Sequence, residues 1–260
     1  MTAVLCRAAV APVLAGSTPR AEQVTQLLCG EVAQITERKG DWLSVRVERD
    51  GYAGWLHEGY AHELADAEAD RWRTESWISA GAVVEAEEGG AWRLEPGARA
   101  LPEERGGVRL PDGRACRVIS GLVGTPAEVQ DKMRTDAPED WALKAFAGTP
   151  YLWGGLTPRG VDCSGLVQIA FLVRGISLPR DARQQAECGR AIPAHGIAPS
   201  DLLFFAESDG RITHVAFAAK GGGLVHAALA CGGVVAEPWS AGTRAEPLRN
   251  RLVQVRRIDA

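Results

Sequence analysis

An α+β domain preceded by two small all-β barrels is the architecture this sequence predicts, and three observations predict it. Residues up to about 125 break into short β-like runs punctuated by Gly, Asp-Gly and Pro-Gly. After 125 the chain offers helix starts with capping residues. From Thr149 to Phe171, TPYLWGGLTPRGVDCSGLVQIAF, glycine-rich irregular sequence gives way abruptly to apolar helix formers. The expected division is a first barrel over residues 1–65, a second, degenerate barrel over 66–125, and the α+β domain over 126–260.

The first barrel is read from Val24 to Leu28, then Val32 to Ile35 after the Gly30-Glu31 turn. The period-two stretch Trp42 to Val47 follows, and Asp50-Gly51 is a hairpin signal ahead of Tyr52 to Leu56. In the second barrel the short runs are Trp77-Ile78, Ala82 to Ala86, Trp92 to Leu94, Ala98 to Leu101, Val108 to Leu110 and Ala115 to Ile119. Thr125-Pro126 with Glu128 three residues after the cap starts one helix, and Ala137-Pro138 starts another. The helix at Cys163 breaks at Gly175 to Pro179, a short helix runs from about Ala182 to Cys188, and strands follow. These are Asp201 to Phe205, Thr213 to Ala219, Gly223 to Ala228, Val234 to Glu237 and Leu252 to Ile258.

With 46% hydrophobic and 24% charged residues the composition is that of an ordinary globular chain. A net charge of −4 gives no reason to expect nucleic acid or an anionic membrane as partner, and no apolar run approaches the roughly 20 residues a bilayer demands. The apolar N-terminus lacks a basic start and is interrupted by Arg7, which argues against a secretory signal. Six cysteines (6, 29, 116, 163, 188 and 231) are scattered without a C-x-x-C pair, so neither a zinc site nor a disulfide framework is indicated. A reducing compartment, the cytoplasm, is the expected location, with no metal, no cofactor and a monomeric chain.

Cys163 carries the chemistry. A helix N-terminus presents unpaired N–H groups and a partial positive charge, which favour thiolate over thiol and can lower a cysteine pKa from about 8.5 to roughly 3.5–7.5. A small buried residue at the start of a core helix is the plainer alternative. A nucleophile needs a base, and the base needs a third group to hold its ring. Of the five histidines, His57 and His62 read as surface residues and His195 as a loop residue. His214 and His226 lie in THVAFAA and LVHAAL, two alternating segments joined by Lys220-Gly221-Gly222. A hairpin turning at 220 or 221 sets 214 opposite 226 or within one position, on a common face.

Two resemblances follow from these residues. EQVTQLLCGE…GDWLSVRVERDGYAGWL resembles a bacterial SH3-type module. TPYLWGG…GVDCSGLV, then DLLFF, THVAFA and LVHAA, resembles the NlpC-type family of papain-like cysteine peptidases in content and order, over residues 138–258. The resemblance implies a papain-like C-terminal catalytic domain after two SH3-like barrels, with Cys163 as nucleophile, His214 as base and His226 orienting it. It also implies Tyr151 as a donor to the scissile carbonyl beside the Cys163 amide, and Asp162 and Ser164 as substrate contacts. From its sequence position alone Asp162 suits a helix cap, with its carboxylate turned away from the thiol.

The family splits bacterial cell-wall (murein) peptides, most often between γ-D-glutamate and a diamino acid, and members with two SH3-like modules require a free N-terminal L-Ala. For the amino group, the resemblance offers Glu22, Tyr52 and, in Leu178-Pro179-Arg180-Asp181, Asp181. Each has a plainer reading, as barrel surface or helix cap. The expected substrate is a short peptide such as L-Ala-γ-D-Glu-diamino acid. A wall amidase or acyltransferase of the same fold, a catalytically inactive SH3-like binding protein and, remotely, a metal enzyme are the competing readings.

Overall fold

The computed structural model describes residues 2–259, and the chain divides into two compact units, Met1–Met133 and Arg134–Ala260. The first unit opens with β1 (Ala3–Cys6), β2 (Val10–Leu14), β3 (Gln23–Leu28), β4 (Val32–Lys39), β5 (Trp42–Val47), β6 (Ala53–His57) and β7 (Ala61–Leu64). They form one sheet in the order β3-β2-β6-β5-β4-β1-β7. A single cluster including Val4, Val13, Leu27, Val45 and Leu56 draws on strands across that sheet, so the sheet curls around its own core.

β1 and β2 were not among the strands expected from sequence. The reason is visible in β1: all four residues are buried, so no polar alternation marks it. Val4 and Cys6 face the barrel core, while Ala3 and Leu5 join a second cluster with Leu64, Ala69, Trp72 and Leu101. Ala69 and Trp72 belong to α1 (Asp66–Glu75), a helix the sequence reading also missed because only these two of its residues are buried.

The second barrel comprises β8 (Trp77–Ala86), β9 (Ala91–Leu94), β10 (Arg99–Pro102), β11 (Val108–Arg109) and β12 (Ala115–Gly124). Its order is β10-β11-β12-β8-β9, and a further β10–β8 pairing closes four of the strands into a ring. Gly30 (φ 74°) abuts it: a Cβ there would stand 2.1 Å from the Arg99 carbonyl oxygen. α2 (Pro126–Met133) begins with a reciprocal cap, Thr125 N–H to Glu128 Oε2 at 2.9 Å and Glu128 N–H to Thr125 Oγ1 at 3.3 Å. The boundary expected at 125 assigned this helix to the C-terminal domain, but it packs on β8 and β12 and lies in the first unit.

The second unit runs α3 (Pro138–Ala145), β13 (Leu156–Thr157), β14 (Gly160–Val161), α4 (Cys163–Leu172), α5 (Ala182–Gln185) and β15 (Arg190–Ala191). β16 (Leu202–Ala206), β17 (Ile212–Ala219), β18 (Gly223–Ala228), β19 (Gly233–Pro238) and β20 (Leu252–Arg257) complete it. Six of these strands make an antiparallel sheet, β15-β20-β16-β17-β18-β19. Every residue of α4 is buried, and the helix packs on β17 and β18, with the Phe171 and Phe217 rings 6.0 Å apart. Another cluster, with Leu203, Phe205, Ala216, Ala218 and Leu224, fills in around the sheet.

Candidate active site

Three glycines let the loop before α4 close onto the helix start. A Cβ on Gly165 would stand 2.2 Å from the Gly155 carbonyl oxygen, and the Gly154 N–H donates to Asp162 Oδ2 at 2.8 Å. WGG and DCSG are therefore two sides of one close backbone approach. Asp162 caps α4, its Oδ1 accepting from the Gly165 N–H at 2.7 Å. The carboxylate also pairs with Arg180, 3.0 Å from NH1 to Oδ1 and 2.5 Å from NH2 to Oδ2. Arg180 reaches Ser164 Oγ as well, at 2.9 Å.

This cluster is sealed, with Arg180 2%, Asp162 5% and Ser164 7% exposed. Asp162 and Ser164, expected as substrate contacts, are thus placed as buried side chains bonded to Arg180. Gln185 fastens the same region by donating to the Ser164 and Pro179 carbonyls at 3.0 and 2.9 Å. Asp181, next along, is exposed at the start of α5, and its charge acts on Arg180.

Cys163 is the first residue of α4, and the backbone amides of Val215 and Ser164 act on its sulfur in favour of the thiolate. Burial pushes its thiol up to about 12, reinforced by the Asp162 charge and opposed by those amides and Arg180. The lowered pKa expected from the helix N-terminus is thus outweighed: desolvation of an enclosed sulfur exceeds the pull of the helix end. Tyr151 sits half-buried nearby, its N–H donating to the Gly232 carbonyl at 2.9 Å. Burial first, then the charges of Cys163 and Asp162, hold its phenol above the ordinary range, so it is a neutral hydrogen-bond donor. Its neighbour Trp153 is 58% exposed, so this loop is not core.

His214 lies one residue before Val215 on β17, its ring beside Phe205 at 5.7 Å. The β17–β18 ladder runs from Phe217↔Val225 to Ala219↔Gly223, which centres the hairpin on Gly221. Extended, that register sets 226 opposite 216, two positions from His214 instead of the one expected at most. The two histidines are diagonal neighbours on one face, a separation an imidazole spans. His214 Nε2 and His226 Nδ1 are 2.8 Å apart. Burial, then the neighbouring His226 and Arg251, pushes His214 down to about 3, and burial also lowers His226 against the opposing pull of Glu237.

Glu237 was not anticipated from sequence. On β19, where His226 pairs with Val235, it lies two residues further along and so faces the same way. A carboxylate ending the apolar run Val234-Val235-Ala236 was the available signal. Its Oε1 is 2.8 Å from His226 Nε2, and its Oε2 is 2.7 Å from Arg244 NH2. Arg244 NH1 contacts Cys231 Sγ in turn.

Glu22 is an exposed residue before β3 and Tyr52 a partly buried one before β6, both in the first unit. His57 caps the turn after β6 by accepting from the Gly59 N–H at 3.1 Å, His62 is in β7, and His195 is exposed. All six cysteines are free thiols, and no helix of the described residues is long and apolar enough to cross a membrane.

The NlpC/P60 family model matches residues 148–257, and the model for the bacterial dipeptidyl-peptidase SH3 domain matches residues 13–59. A gamma-D-glutamyl-L-lysine dipeptidyl-peptidase of Bacillus subtilis is 32% identical over 215 residues, covering 78% of this chain and 71% of that protein. A protein of the same description from Bacillus cereus is 29% identical over 221 residues, covering 78% of this chain and 66% of that protein. Among solved structures, an NlpC/P60 family protein from Bacillus cereus superposes with a TM-score of 0.81 at 21% identity, over 98% of this chain and 99% of that one, which bears on the fold. The papain-like domain that sets Cys163 against the histidine hairpin is accordingly that of a cysteine hydrolase, and the chain belongs to the NlpC/P60 peptidase family.

Proposed function

We propose that the protein hydrolyses the γ-D-glutamyl–diamino-acid bond of short cell-wall peptides bearing a free N-terminal L-Ala, through a thioester on Cys163. The observation that carries this reading is the packing of the helix that Cys163 opens against β17, the strand of His214, with His226 2.8 Å behind His214. The description of the two Bacillus relatives as gamma-D-glutamyl-L-lysine dipeptidyl-peptidases supports the bond and the substrate class.

At rest the pair is neutral thiol and neutral imidazole, because burial displaces both in that direction. The thiol proton passes to His214 as sulfur attacks the γ-carbonyl carbon of D-glutamate. Tyr151 and the amide at the start of α4 are the donors we assign to the developing oxyanion, each worth roughly 2.7–4 kcal/mol in other enzymes. Collapse breaks the C–N bond, and His214 gives its proton to the departing amine of the diamino acid. Water then attacks the thioester carbonyl, its proton returning through His214 to the sulfur, which releases the dipeptide. The exposed carboxylate of Asp181 is the group we assign to the substrate's ammonium. Murein-peptide recycling in the cytoplasm is the setting that fits a requirement for a free amino end.

Mass spectrometry of L-Ala-γ-D-Glu-L-Lys and of its diaminopimelate counterpart tests this. The expected products are L-Ala-D-Glu and the free diamino acid or its remainder, with no cleavage of the N-acetylated peptide and none by Cys163→Ser. Cleavage by Cys163→Ser would overturn the mechanism, and equal cleavage of the N-acetylated peptide would overturn the substrate requirement.

A further inference from the structure

We propose that Glu237, held by Arg244, is a positioning residue that fixes the direction of the hydrogen bonds through both histidines and so leaves His214 Nδ1 unprotonated to accept the thiol proton. The proposal rests on the assignment of Cys163 and His214 as nucleophile and base. It follows from counting donors and acceptors along one chain of contacts.

An ionised carboxylate can only accept hydrogen bonds. Glu237 Oε1 lies 2.8 Å from His226 Nε2, so that nitrogen carries the hydrogen. In a neutral imidazole the other nitrogen then has a lone pair, and His226 Nδ1 must accept. Its partner at 2.8 Å, His214 Nε2, is consequently the donor. His214 Nδ1 is left with the lone pair. Reversal at the first link reverses every link, and His214 Nδ1 would then carry a hydrogen and could take no proton from sulfur.

Arg244 fixes which group Glu237 presents. Its guanidinium donates to Glu237 Oε2 at 2.7 Å, so this position must always hold an acceptor. The ligand-type atoms of His226, Cys231 and Glu237 lie within 4.8 Å of one another, a spacing a cation could use. Here the Arg244 guanidinium contacts both Cys231 and Glu237, so the cluster reads as the foot of the relay.

The test exploits the amide. In Glu237→Gln, Arg244 demands the carbonyl oxygen, which turns the NH₂ toward His226 and inverts both imidazoles. The expected result is a kcat loss on the order of 10²–10⁴-fold, the range of a wrong-tautomer substitution in a serine protease at its upper end, with KM within about twofold. In the double variant Glu237→Gln/Arg244→Ala the amide is free to present its carbonyl to His226. Its kcat should recover at least about tenfold over Glu237→Gln alone, if the amide accounts for the loss. A packing role for Glu237 would make the double variant worse instead.

Imidazole ¹⁵N shifts in the unmodified full-length protein, read without substrate, should show hydrogen on Nε2 of both His214 and His226, and Glu237→Gln should move it to Nδ1 of both. Nδ1–H on His214 in the unmodified protein would overturn the proposal even if the variants fail to fold. So would a double variant no faster than Glu237→Gln. Because the shifts need no turnover, a wrong substrate assignment leaves this readout intact.

Discussion

Two acid–arginine pairs flank the proposed nucleophile, and they serve opposite ends. Asp162–Arg180 is sealed, with side chains 8% and 2% exposed, and its hydrogen bonds to Gly154, Gly165 and Ser164 return to the loop and helix around Cys163. Glu237–Arg244 opens outward, Arg244 being 48% exposed, and its inward contact is one nitrogen of His226. The first pair holds backbone; the second, on our reading, aims protons. An identical ionic motif is thus structural or directional according to what lies at its inner end, and the two should fail in different measurements.

The largest effect expected is on the directional side. His214→Ala should lower kcat/KM on the order of 10⁴-fold, equivalent to about 5.5 kcal/mol of barrier, while cooperative unfolding persists. Steady-state kinetics beside a melting curve checks both halves. On the sealed side, Arg180→Met leaves the Asp162 carboxylate buried and uncompensated, which costs about 3–5 kcal/mol of stability. Denaturant unfolding measures it, and a loss below about 1 kcal/mol, the value of an exposed pair, would erase the contrast. Smaller again is His226→Ala, on the order of 10²-fold in kcat. His226→Asn should regain part of that, because its amide oxygen can accept the His214 Nε2–H that Ala cannot.

The sequence made one side of this contrast far more legible than the other. Cys163, His214 and His226 announce themselves because a thiol at a glycine-to-helix junction and two histidines in alternating strands are rare types in unusual places. Both barrels and the α+β domain were legible from turn residues and alternation, and the family matches at 13–59 and 148–257 fall within the first barrel and the α+β domain. β1 and α1 were not, since burial on two faces removes the alternation of one and a two-residue contact hides the other. Arg180 gave no sign of being buried, because an arginine is hidden only when its partner is, and pairing is a tertiary fact. The hairpin centre at Gly221 was one of the two expected, but about that centre 226 falls opposite 216, so the two histidines stand two positions apart and not within one. Nor could the N-terminal position of Cys163 on its helix reveal the pKa, because the dipole is local in sequence while enclosure is contributed by β17 and the loops.

That enclosure yields the smallest and most discriminating expectation, a pH dependence. His214 must be neutral to accept a proton, and burial holds it neutral down to about 3 where an exposed histidine would protonate near 6.5. The acid limb of kcat/KM should therefore lie well below pH 6, with the profile flat between roughly pH 6 and 8. Stability carries the same signature with a definite sign. Between 6.5 and about 3 the unfolded chain binds a proton at position 214 that the folded chain refuses. The unfolded state then holds more protons, so stability falls as pH falls through this window and is fully present above it. Replacing His214 with Ala should flatten that part of the stability curve, whereas Arg180→Met should lower the whole curve and leave the His214 slope in place. An acid limb at pH 6.5 would mean that His214 is solvated in the working enzyme, and the resting neutral pair would have to give way to a preformed thiolate–imidazolium pair.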